Sequence, residues 1–230
     1  MPPARTRVTL LTTAALLLSV LLSGCAVGFE TGGGDRASAP IEEVDGDSLA
    51  GDVRSAVGVT DAFWRQEFPD VFGRSYRSPR VEGGYRGENG PTCGGQPSVA
   101  FNAFYCPAQD FLAWDDNLMA AGYQQIGDAW VYLIIAHEWG HAIQAQLPAR
   151  YVSPAVELQA DCLAGAALQG AADQGLVRIE PGDDEEIATT LEAVADDYPW
   201  TDQGSHGNAR QRIAAFRAGV SRGVDGCLSS

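Results

Sequence analysis

Hydrophobic positions follow three different rules along this chain. From Val8 to Leu22 they form an almost continuous run, broken by threonines and Ser19. From 26 to 50 the chain is Gly, Ala, Asp, Glu and Ser with little apolar periodicity. Beyond that, apolar residues recur at the helical period. Helices are predicted over 52–67, carrying Val57, Phe63 and Trp64, and over 126–146, 154–173, 183–197 and 208–219. Residues 73–97, rich in Gly, Pro and Arg, read as loop. Residues 98–114 predict two short strands around a Cys106-Pro107 turn. The apolar run Ala129–Ala136 is too short for a membrane span and suits the buried part of a central helix. The pattern predicts one folded domain over 51–230, α+β and mainly α, with a small sheet.

The first segment adds an address. Arg5 and Arg7 precede the apolar run, which ends in Leu22-Ser23-Gly24-Cys25. Small residues before a cysteine resemble the lipobox of bacterial lipoproteins. The resemblance implies a signal peptide over 1–24 and lipidation of Cys25 as the mature N-terminus. Residues 25–50 are then a flexible tether, and the domain is held by its lipid outside the cytoplasmic membrane. Cys93, Cys106, Cys162 and Cys227 remain, an even number that fits an oxidising compartment. Three pairings are open. The local one, Cys93 with Cys106, is preferred and leaves Cys162 with Cys227. A nucleophilic Cys162 is disfavoured, because no histidine lies near it in sequence. The formal charge of −15 and pI near 4.4 argue against nucleic acid as a partner.

The candidate chemistry lies in His137-Glu138-Trp139-Gly140-His141. Positions i and i+4 share one helical face, so two imidazoles at that spacing reach one Zn²⁺. Glu138 sits beside them as a base able to take a proton from water. Asp128 is a candidate N-cap or first-turn acid for that helix. Gly140 would let another segment approach closely. A catalytic zinc needs a third protein ligand and an open position. Glu157-Leu158-Gln159-Ala160-Asp161 again places two acids four apart, after a turn bracketed by Pro148 and Pro154. Glu157 is assigned as the third ligand, with Asp161 orienting a ligand imidazole. The exchange of these two roles stays open. His206 or Arg212 is a candidate donor to a developing oxyanion. Asn208 is placed to cap the last helix.

These pieces together resemble the bacterial neutral zinc metallopeptidase family. The matching segments are Phe104-Tyr105-Cys106-Pro107, the histidine motif, Glu157 through Gly165, and Ser205-His206-Gly207 with Gln211, Arg212 and Phe216. The resemblance implies a gluzincin-like, helix-rich core, zinc as cofactor, and a protein or peptide substrate. The Glu-x-x-x-Asp pair also resembles that of membrane-bound prenyl-protein peptidases, where the Glu is the ligand. Two features depart from the family: a short segment between His141 and Glu157, and a lipobox in place of a membrane anchor. The rival expectation is a non-catalytic envelope lipoprotein with a structural zinc or a binding role. Glu138 argues against it, since a structural site needs no base.

Overall fold

The computed structural model describes residues 48–196 and 206–228. The signal, Cys25 and nearly all of the tether therefore lie outside the described residues. The domain is α+β and mainly helical, with one three-stranded sheet. Among the described residues, no helix is long and apolar enough to cross a membrane.

Helix α1 covers Leu49–Phe72. Ser48 caps it by accepting from Gly51 N at 3.2 Å, and Gly73, at φ 61°, ends it in the left-handed region. Phe63, Trp64 and Phe68 are its buried face. Strands β1 (Arg80–Tyr85), β2 (Ala103–Cys106) and β3 (Phe111–Asp115) follow. The sheet order is β1-β3-β2, with β1 parallel and β2 antiparallel to β3. Strand β3 is buried throughout, as a central strand should be. The segment 73–97, expected to be loop, thus contains a strand.

Antiparallel pairing fixes which way β2 faces. Asn102 O accepts from Asp115 N at 2.7 Å, and Phe104 lies opposite Ala113. Backbone groups of alternate residues point to opposite edges. Residues 102, 104 and 106 therefore face β3, whereas Ala103 and Tyr105 turn their N–H and C=O to the outer edge.

Helix α2 (Asp116–Gln125) leads into α3 (Ala129–Gln144), whose residues are nearly all buried. Asp128 stands at the N-cap of α3 but its side chain makes no capping bond. Glu186 of α5 (Asp183–Ala193) does that work, accepting from Ala129 N at 3.2 Å. Helix α4 (Val156–Asp173) packs between α3 and α6 (Ala209–Arg222). Its contact surface is made of small residues: Ala160, Ala164, Gly165, Ala166 and Ala167 are all buried. A Cβ on Gly140 would lie 2.9 Å from Ala160 O, so the glycine lets α4 cross close beside the histidine motif. Gly165 and Gly219 do the same at the α4–α6 crossing, against the backbone oxygens of Phe216 and Cys162. Asn208 caps α6 in a reciprocal capping box with Gln211. Disulfides join Cys93 to Cys106 and Cys162 to Cys227, the preferred pairing. The second holds the C-terminal turn Val224–Cys227 against α4.

Candidate metal centre

The α3–α4 crossing brings the two acid-rich and histidine-rich turns together. His137 Nε2 lies 3.2 Å from Glu157 Oε2, and His141 Nε2 lies 3.5 Å from Glu157 Oε1. The imidazole planes are nearly perpendicular, with centroids 4.9 Å apart. Ligand atoms of His137, His141 and Glu157 all fall within 4.8 Å of one another. This is a two-histidine, one-carboxylate donor set, of the kind that leaves a coordination position for water or substrate. It fits zinc.

Each histidine is oriented through its other nitrogen. Asp161 Oδ1 lies 2.8 Å from His137 Nδ1. Gln144 Oε1 lies 2.8 Å from His141 Nδ1. The tautomer at His141 follows from the partner's own bonds. Gln144 Nε2 donates to Val156 O at 2.7 Å and to Gln159 Oε1 at 3.1 Å, so its oxygen is the acceptor left for His141. His141 therefore donates from Nδ1, which leaves Nε2, on the Glu157 side, as the nitrogen available to a metal. Gln159 is satisfied in turn: its Nε2 donates to Tyr151 O and Cys227 O, and its Oε1 also accepts from Ser153 N. The amide chain links a metal-facing ring to the C-terminal disulfide turn.

Asp161 is wholly buried on the far side of His137 from Glu157. Arg212 clamps it in a fork, Nε to Oδ2 and Nη2 to Oδ1, both at 2.8 Å, and donates from Nη1 to Val194 O at 2.6 Å. Arg212 is 3 % exposed. It is committed to Asp161 and so does not serve as the oxyanion donor considered from sequence. His206 sits against Asp196. Its backbone N–H donates to both Asp196 oxygens at 3.1 Å, and its ring Nδ1 lies 3.4 Å from Asp196 Oδ1.

Glu138 is half-buried and turns toward β2. Its Oε2 accepts from Tyr105 N at 2.9 Å, on the outer edge of that strand. Burial pushes its carboxyl above the ordinary range; His137 and His141 oppose the shift and Glu157 adds to it. Glu157 and Asp161 move the other way. Burial opposes their ionisation, but the histidines, with Arg212 for Asp161, hold both below the usual carboxylate range.

For the zinc-free protein, burial works against a charged His137, yet Asp161 and Glu157 push it up to about 10. A folded value above the unfolded 6.5 adds stability that is complete below pH 6.5 and is lost as pH rises to about 10. Zinc binds the neutral ring and must displace that proton. Zinc uptake at pH 7.5 is therefore expected to release protons into weakly buffered solution, and to abolish the alkaline loss of stability. A pH-stat titration with no proton release would contradict the charge state assigned to His137.

Sequence reasoning missed Gln144, Gln159 and the Tyr105 N–H. Only Gln144 leaves a local signal, three residues after His141 and so on the same helical face.

Residues 33–152 match the family described as "Putative neutral zinc metallopeptidase". The match includes the histidine motif and ends before Glu157. The uncharacterized protein YpfJ of Escherichia coli (strain K12) is 31% identical over 196 residues, covering 73% of this chain and 66% of the relative. YpfJ of Escherichia coli O6:H1 gives the same figures. The chain thus spans just under two thirds of the length of these curated relatives. No solved structure matches.

Proposed function

Because this chain belongs to the neutral zinc metallopeptidase family, we propose that it hydrolyses peptide bonds at the centre formed by His137, His141 and Glu157. The observation that carries this reading is the placement of Glu138. A half-buried carboxylate with a raised pKa stands beside the metal-facing trio, tied by one oxygen to the outer edge of β2. A purely structural zinc has no use for such a group.

His137, His141 and Glu157 would hold the ion, and bound zinc supplies Lewis acidity that lowers the pKa of water and polarises a carbonyl. Glu138 accepts the proton of the attacking water and delivers it to the leaving amine. Its raised pKa suits both tasks, because a carboxylate made more basic by burial takes up the proton more readily and, once protonated, can give it to the amine. Tyr105 N–H fixes Oε2 and leaves the other oxygen for the proton. Asp161 and Gln144 hold the imidazoles, with Arg212 behind Asp161. Ala103, whose N–H and C=O face the outer edge of β2, pairs with the backbone of an extended substrate by strand addition. His206 is the proposed donor to the oxyanion.

Lipidation at Cys25 would place this activity on the outer side of the cytoplasmic membrane, with residues 25–50 as tether. The two disulfides suit that compartment.

The test is direct. Purified protein should contain stoichiometric zinc and cleave unfolded polypeptide; a chelator should stop cleavage and added zinc restore it. Zinc-loaded protein that cleaves nothing in a diverse peptide library would leave the non-catalytic reading in its place.

A further inference from the structure

Phe101 is unusual in two independent respects. Its φ is 56°, a left-handed conformation that bulky residues avoid. Its side chain is also 60 % exposed, beside Val99 at 62 %. The segment that carries them is not loose. Asp115, wholly buried, accepts from Phe101 N at 2.7 Å and from Asn117 N at 2.9 Å, while its own N–H donates to Asn102 O. Tyr85 Oη donates to Val99 O at 2.7 Å and lies 3.2 Å from Asn102 O. A buried carboxylate and a buried phenol thus hold, from inside, a turn that presents two apolar side chains to solvent. Strained backbone fixed by its surroundings is concentrated at sites of ligand contact.

The position of the turn says what the contact is. Phe101 lies two residues before β2, whose outer edge runs through Ala103 to Tyr105, and Tyr105 N–H meets Glu138. Four residues of extended chain span roughly 13 Å. A peptide lying along that edge, with its scissile bond at Glu138, passes Phe101 three or four residues away. Two side chains are far too small a patch for a stable protein partner, which needs about 800 Å² on each side.

We infer that Phe101 and Val99 form an apolar subsite for a substrate side chain three or four residues from the scissile bond. The favoured substrate is then an extended segment with a large aliphatic or aromatic residue at that distance. This rests on the peptidase reading above.

The experiment uses zinc-loaded full-length protein and peptides of one fixed cleavage sequence. The residue three or four places from the cut, on either side, is varied among Leu, Phe, Ser and Asp. At one of these places Leu or Phe is expected to give kcat/KM at least about 10-fold above Ser or Asp. Phe101→Gly and Phe101→Ser should reduce that preference to within about threefold, with the change falling on KM. Glycine accepts φ 56° freely, so Phe101→Gly should keep or raise Tm, separating lost selectivity from lost folding. A wild type with no preference at these places, or variants that keep it, would overturn the subsite while leaving hydrolysis intact. A wild type that cleaves none of the peptides overturns the peptidase reading and the subsite with it.

Discussion

Glutamine in place of Glu138 is expected to slow peptide hydrolysis by about 10²–10⁴-fold, the usual contribution of a general base, while zinc content stays at the wild-type level. The two outcomes separate because Glu138 and the metal-facing atoms have different jobs. His137 and His141 are oriented by Asp161 and Gln144, and neither bond involves Glu138. Glutamine has the same shape, and its amide oxygen can still accept from Tyr105 N–H, so the β2 edge stays where it is. What it cannot do is take up a proton. The sign of the pKa shift adds a control. A carboxyl raised by burial destabilises the fold wherever it is ionised, so glutamine should leave Tm unchanged or raise it. Zinc content by atomic absorption, Tm and kcat on one preparation give all three readings. Activity within about threefold of wild type would remove Glu138 from the chemistry.

The centre was legible in sequence to the extent that it is local. The His137–His141 spacing specifies a helical face by itself, and Glu157 with Asp161 repeats the device on α4. Asn208 followed by Gln211 announces its capping box three residues apart. The parts that were not legible depend on partners far along the chain. Strand β1 reads Arg-Val-Glu-Gly-Gly-Tyr, with no clean alternation; it is a strand because β3, about thirty residues later, pairs with it in parallel. Asp128 looks like a cap, but Glu186 arrives from α5 and takes the role. The helix predicted over 52–67 contains a proline, Pro69, in its actual extent. Pro69 falls in the last turn, and α1 continues to Phe72. The segment 116–125 carried no helical expectation, although Asp115 caps α2 by accepting from Asn117 N. The role of Arg212 had the wrong sign for the same reason. Its sequence neighbourhood near His206 suggests a group facing substrate, but the α4–α6 crossing, made close by Gly165 and Gly219, delivers it to the back of Asp161.

That crossing makes Arg212→Leu the substitution with the largest expected effect on stability. Asp161 has no exposure, and Arg212 occupies both of its oxygens. Removing the guanidinium leaves a buried carboxylate held by His137 alone and takes the donor from Val194 O. Loss of one partner from a buried ion pair costs about 3–5 kcal/mol. For a domain of this size that is a fall in Tm of roughly 6–20 °C. Lysine should not rescue it, because a single ammonium cannot reproduce the two parallel bonds of the fork. Zinc should weaken as well, by about 10–100-fold, since Asp161 no longer fixes the His137 ring. The double variant Arg212→Leu, Asp161→Asn tells the two effects apart. It removes the unpaired charge, so part of the stability should return. An amide is a weaker acceptor for His137 Nδ1–H than a carboxylate, so zinc affinity should stay low. Thermal unfolding with a competitive zinc chelator reads both quantities. A single variant melting within about 2 °C of wild type would mean that Asp161 does not depend on Arg212. Full recovery of zinc affinity in the double variant would mean that the charge on Asp161 plays no part in holding His137.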